Sequence, residues 1–211
     1  MQTRARVKPF PDTRDARSGY HPAMSAGTQT NAGLYERLVG EGWRELDEPV
    51  RRFHALARGE GVFEVRRGEG FVARAVARLL GLPAGGAAVP MKLSVEPRAG
   101  VELWRREFAG KEFVTAQGGH AGGLMAERAW PFELLFRLTA EDGALVYRSQ
   151  GAALRVRGLR LRLPRLLAPR VEASESAGEG GGVRVRVSVT APLAGFLISY
   201  EGLVKTEGEE A

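Results

Sequence analysis

Two periods run along this chain, one helical and one of strands, and they divide it into thirds. In LYERLVGEGWRELDEPVRRFHALARG the apolar residues Leu34, Leu38 and Val39 form one helical stripe. Val50, Phe53, His54 and Ala57 form a second after Pro49, a residue suited to a first helical turn. The spacing predicts two short helices, with Gly59 as the stop. GVFEVRR then sets Val62, Glu64 and Arg66 against Phe63, Val65 and Arg67, the alternation of a strand. From Phe71 to Leu80 the helical period returns with apolar residues on most sides, and Gly81 and Pro83 end it. A helix apolar all round is expected to be buried.

From Val89 onward the period is two, punctuated at Gly100, Gly110, Gly118 to Gly123, Gly143 and Gly178 to Gly182. That spacing predicts a meander of about eight to ten antiparallel strands. In LRVRGLRLRL the apolar phase slips across Gly158, which reads as a bulge or corner. VRVRVSV places Val183, Val185, Val187 and Val189 on one face, so Arg184 and Arg186 should point outward, and FLISYEGLV should be the closing strand. Helices gathered before a long antiparallel run argue α+β, because parallel sheets need alternating β and α units. The expected architecture is N-terminal helices followed by a large curved antiparallel sheet or open barrel, wrapped around one buried helix at Phe71 to Leu80.

Composition narrows the function classes. The absence of Cys excludes disulfides and thiolate metal sites and fits a reducing, cytoplasmic setting. Residues 1–30 read as a disordered basic leader without the apolar stretch of a secretory signal, and translation could begin at Met24. Residues 31–205 form the expected single domain, and 206–211 an acidic tail. No apolar run is long enough for a membrane helix, so the protein is not expected to be integral to a membrane. The net charge of +6 invites a nucleic-acid reading. Its densest part is a ladder that includes Arg155, Arg157, Arg160, Arg162 and Arg165, with no interleaved aromatic on which bases could stack. A solvated sheet face is the preferred account, and no specific nucleic acid is expected.

Candidate chemistry is sparse. GEGFVA sets Gly68, Gly70 and Ala73 in the G-x-G-x-x-A pattern of a dinucleotide turn. Glu69 beside the supposed phosphates and the hairpins downstream favour a plainer reading, in which Gly68 ends a strand and Gly70 starts a helix. No bound cofactor is expected. ELWRREF puts Glu102, Trp104, Arg106 and Phe108 on one face. Aromatics beside a carboxylate and a guanidinium suit a cavity wall, with Glu102 and Arg106 paired, but a sheet face with its charges at a wet margin and its aromatics in the core is the plainer and preferred reading. Thr115, Gln117, Glu127 and Arg128 could complete a polar cluster inside the sheet, though cross-strand ion pairs on its outer face would give the same pattern. His21, His54 and His120 show no metal-binding spacing. His54, Glu102 and Glu127 remain candidates for an acid or base.

LYERL, VRRFHAL, GEGFVARAVARLLGLPAGG, ELWRREFAGKEF, LPRLLAPRVEA and PLAGFLISYEGLV together resemble the bacterial family known as domain of unknown function 4166, in order from about Leu34 to Val204. Leu166 stands where that family usually carries an aromatic. The resemblance implies no activity and no catalytic residues. Similar domains occur alone or joined to oxidoreductase domains, which implies an accessory role, exercised here in trans. The leading expectation is a non-catalytic binding module for a hydrophobic or amphipathic small molecule, lined by Trp104, Phe108, Phe113 and Tyr200 with His54 nearby and with Glu102 and Arg106 as polar anchors. The alternatives are an interaction partner of an oxidoreductase, or an enzyme with acid or base residues in the sheet cavity.

Overall fold

The computed structural model describes residues 33–55 and 58–206. The leader, His21, Ala57 and the tail beyond Thr206 lie outside the described residues. The chain begins with α1 (Leu34–Val39), a 3-10 turn (Gly40–Glu45) and α2 (Glu48–Phe53). Pro49 sits in the first turn of α2, where its missing N–H is no loss. The helix ends at Phe53 rather than continuing to Gly59, which instead lies within β1 (Arg58–Arg67). After β1 come α3 (Phe71–Leu79), β2 (Gly86–Arg98), β3 (Val101–Phe108), β4 (Lys111–His120), β5 (Leu124–Ala129) and β6 (Phe132–Glu141). The chain continues through β7 (Ala144–Val156), β8 (Leu159–Arg162), β9 (Arg170–Ala177), β10 (Val183–Ala191) and β11 (Gly195–Thr206).

Every strand pairs antiparallel with its neighbour, and β11 returns to pair with β1 from Gly59↔Thr206 to Arg67↔Ile198. The free edge of β7 is shared: Leu145 to Arg148 pair with β9, whereas Ala153 to Val156 pair with β8. Ten strands therefore close into a barrel and β8 stands outside the wall as an edge strand. The sheet is closed rather than open, which removes every edge except that of β8. Three hairpins turn on two residues that both have positive φ, at Ala109–Gly110, Asp142–Gly143 and Arg157–Gly158. Turns of this kind match the right-handed twist of the strands they join. Gly158 is thus a hairpin tip, and the change of phase around it is the reversal of the chain rather than a bulge.

Phe63, Val65, Trp104, Phe108, Met125 and Phe136 are among the side chains buried inside the wall. No described helix occupies that interior. Ala73 and Ala77 of α3 are buried, but Phe71 and Val72 are exposed, and α3 packs against β11. The sequence misleads here because the fully buried positions described in α3 are small alanines, with Val76 only partly buried beside them. Gly68 explains that packing: a Cβ there would lie 1.9 Å from the Phe196 carbonyl oxygen and 2.9 Å from the Ala73 methyl. The glycine pattern therefore serves close helix-to-strand contact within an antiparallel barrel. No described helix is long and apolar enough to cross a membrane.

The outer wall carries ion pairs. Arg184 and Arg186 both reach Glu201, and Arg148 grips Glu141. Glu133 is different: it is only 1 % exposed and holds Arg128, Arg155 and Arg160 at 3.2, 2.7 and 2.5 Å. Burial works to raise its pKa, but Arg160 and Arg155 outweigh that and hold the carboxyl below its usual range. Part of the arginine ladder is thus a clamp fixing the β7–β8 hairpin to β5 and β6.

Two outcomes test these contacts. Gly68→Ala should cost about 1–3 kcal/mol by overpacking, whereas Gly70→Ser, at the α3 N-cap, should stay within about 0.5 kcal/mol, both read by urea unfolding. Glu133→Gln should lower stability at neutral pH by about 1–3 kcal/mol. Because the native pKa is depressed, that difference is complete above about pH 4.3, the ordinary glutamate value, and should shrink as pH falls through the native pKa.

Candidate functional site

The helical segment covers the barrel end formed by the β6–β7 and β9–β10 connections. The Asp47 N–H donates to the Gly143 carbonyl, and a Cβ on Gly143 would collide with the Asp47 carboxyl, so helix and hairpin tip are in close contact. Phe53 of this cap lines the interior, and two polar side chains of the cap reach in beside it. Tyr35 projects from α1 and donates its hydroxyl to Gln117 Oε1 on β4. His54, the residue that closes α2, stacks on Tyr35 with ring centroids 3.7 Å apart.

His54 is 1 % exposed, and its Nε2 lies 2.5 Å from Glu175 Oε2 on β9. Tyr147 of β7 donates to the other oxygen, Glu175 Oε1, at 2.9 Å. A carboxylate only accepts, so the ring tautomer that suits this contact carries its proton on Nε2. Its Nδ1 is then a buried acceptor, and it has no partner among the described residues. Such groups are uncommon in folded interiors.

A second chain of contacts starts at Gln117. Its Nε2 donates to Glu127 Oε1 at 3.0 Å, and Glu127 faces Arg106 at 3.5 Å. Arg106 also donates to Thr115 Oγ1 at 3.0 Å and lies 5.2 Å from the Trp104 ring centroid. Burial works against the Arg106 charge, but Glu127 and the neighbouring tyrosines hold its pKa above the ordinary value. Burial pushes Tyr200 up to about 12, with Arg106 opposing the shift. Tyr35 and Tyr147 are raised well above their ordinary value, first by burial and then by the charge on Glu175.

A family model described as a domain of unknown function (DUF4166) matches residues 46–204. The chain belongs to the DUF4166 family. No curated protein matches it. Among solved structures it is similar to a protein of unknown function from the DUF3598 family of Nostoc punctiforme, with a TM-score of 0.45 and 9 % sequence identity. That likeness covers 72 % of this chain and 47 % of the other, so this chain spans about half of that protein's length.

Inside the DUF4166 barrel lies a cavity of about 70 Å³, walled by Phe63, Trp104, Phe108, Phe136 and Tyr200 and bearing Arg106, Gln117, Glu127, Tyr147 and Glu175. Trp104, Arg106, Phe108 and Tyr200, four of the residues singled out from sequence, share this cavity, and Gln117 and Glu127 complete a polar cluster with them. Phe113 pairs with Arg106 across β3 and β4 but is not part of the cavity wall. Glu102 does not pair with Arg106; it accepts the Trp104 Nε1–H at 3.1 Å, while Arg106 turns to Glu127. The reason is reach across the sheet: Glu127 on β5 meets the guanidinium over the intervening β4, whereas Glu102 is occupied by the indole.

Tyr35, Tyr147 and Glu175 escaped sequence reasoning. Glu175 alternates in phase with Val171 and Ala173, and Tyr147 with Leu145, so a polar residue on an apolar face was the available signal. Nothing in the helical pattern marked Tyr35. His120, which lies in β4, contacts only the Ala121 carbonyl and takes no part in the network.

Three of the four tyrosines should therefore resist ionisation. Their raised native pKa means that the stabilisation is intact below about pH 10, the unfolded value, and is lost as pH rises. Ultraviolet difference titration should show Tyr200 ionising only near pH 12, and Tyr35 and Tyr147 ionising only well above the ordinary tyrosine range or with unfolding.

Proposed function

We propose that this DUF4166 domain is a non-catalytic binding module that takes a small amphipathic molecule into the barrel. The polar end is held at Arg106, Glu127 and Gln117, and the apolar end lies against Trp104, Phe108 and Tyr200. The observation that supports this most is the enclosed interior itself. It combines apolar walls with a few converging polar groups, the usual makeup of a small-molecule site. Most interior polar groups are already satisfied by one another, which would keep the site intact without ligand.

The cavity is far below the roughly 300 Å³ that drug-sized ligands need. Uptake then requires the α1–α2 cap to move, and the cap is suited to this because Tyr35 and His54 are its own contributions to the polar network. Ligand entry would break Tyr35–Gln117 and His54–Glu175 and free Gln117 and Glu175 as anchors. Phe113 and Glu102 stand outside this contact set, at the margin of the proposed site.

A second reading, acid–base catalysis, is favoured by one observation: the imidazole of His54 is fixed by Glu175 on one side and has an unused Nδ1 on the other. Glu102 and Glu127 are less suited, since the first is bound to an indole and the second to Arg106 and Gln117. An accessory role beside an oxidoreductase rests on the resemblance of related domains alone.

Native mass spectrometry of protein purified without denaturant should reveal a bound small molecule, and laurate or anilinonaphthalene sulfonate should bind saturably with a change in Trp104 fluorescence. Arg106→Leu should weaken binding of either probe about tenfold, equivalent to about 1.4 kcal/mol. Ligand-free mass together with no saturable binding of either probe would overturn the reading.

A further inference from the structure

The two ends of the barrel differ in kind. Strand order places α1 and α2, together with the connections at 99–100, 121–123, 142–143 and 178–182, at one end. At the other lie α3, the turns at 109–110, 130–131 and 192–194, and the whole β8 hairpin with the loop that follows. Among the described large apolar residues that are exposed, all but Val62 belong to this second end. Phe71 on α3 is 80 % exposed, Leu193 in the β10–β11 turn 77 % and Leu166 after β8 78 %. Leu159 and Leu161 on β8 and Trp130 in the β5–β6 turn join them. They come from four connections distant in sequence, which the antiparallel meander sets along one edge and barrel closure gathers into one end. A monomer rarely exposes so much apolar surface without a partner.

Charge identifies the partner. Segments 67–85, 109–110, 130–131, 156–169 and 192–194, which make up this end, hold seven arginines and one acid, Glu69. The cap end, over 33–55 and the connections named above, holds seven acids and four arginines. Arg157, Arg162 and Arg165 are exposed and have no ion pair among the described residues. Arginine beside exposed leucine and tryptophan suits an anionic bilayer surface: the guanidinium sits among phosphates while the apolar side chains enter the acyl boundary. The acidic cap would point away, which selects one orientation. The Glu133 clamp holds the β8 hairpin rigid for this contact.

We infer that the barrel end opposite the helical cap docks on an anionic lipid membrane. The inference is independent of what the interior binds, since none of its residues line the cavity. Full-length protein should co-sediment with vesicles of phosphatidylglycerol and phosphatidylcholine and bind at least tenfold more weakly to phosphatidylcholine alone. The double variant Leu159→Glu, Leu166→Glu and the single variant Phe71→Glu should each reduce binding at least tenfold. Their melting temperatures should stay unchanged, because all three side chains are exposed. Brominated lipid should quench Trp130 in the wild type and not in Trp130→Tyr. The basic leader is intact in every variant, so equal binding by wild type and variants would overturn the inference. So would no binding at low salt. A dimer in sedimentation velocity that these same substitutions dissolve would also overturn it, assigning the face to a second copy of the chain.

Discussion

Closure of the sheet through β1 and β11 is the constraint on which the rest of this structure depends. Once the wall is continuous, an inward side chain has no water to turn to, and a polar group must find its partner across the barrel. This is why Glu175 collects both His54 and Tyr147, and why Gln117 bridges Tyr35 and Glu127. His54–Glu175 and Tyr35–Gln117 join elements far apart in sequence, whereas Gln117–Glu127 links neighbouring strands of one hairpin, so the polar network and the closed topology support one another.

The helical cap takes part in this arrangement rather than decorating it. Its helices are only six residues each, too short to be stable on propensity alone, and they persist because Tyr35, Val50 and Phe53 are buried against the barrel. The same shortness limits how firmly the cap is held. A lid that is weakly folded by itself, yet supplies two members of the interior network, couples the packing of one barrel end to the state of the site. Low-stability elements are where moving parts of proteins are commonly found.

The opposite end has no such lid. There α3 buries two alanines and leaves Phe71 and Val72 in solvent, and β8 stands outside the wall with Leu159 and Leu161 exposed. With acids gathered at the cap and arginines at the far end, the barrel is polarised along its axis. A charge asymmetry of this kind acts over distances comparable to the screening length, about 8 Å at physiological salt, and in the docking proposed above it would orient the protein before contact.

The antiparallel run after Val89, the inward phase of ELWRREF and VRVRVSV, and the absence of sulfur chemistry were legible from residues alone. Period-two alternation and glycine turns are local, and local geometry suffices to state which side chains share a face. Thr115, Gln117 and Glu127 stood out as one polar group, but whether it lay inside the sheet or on its outer face was not legible, and Arg128, grouped with them, instead pairs with Glu133 away from the Arg106 network. Nor were the partners legible. Arg106 chose Glu127 over Glu102, Glu133 gathered three arginines from β5, β7 and β8, and α3 packed by its alanines outside the barrel. Such outcomes are set by distances between strands that neighbour one another only after folding. The composition and period of the chain thus determined that its strands would form hairpins with one apolar face. Only the tertiary structure decided that the hairpins close into a ring, because closure depends on the first strand meeting the last, and no pattern within either strand records that meeting.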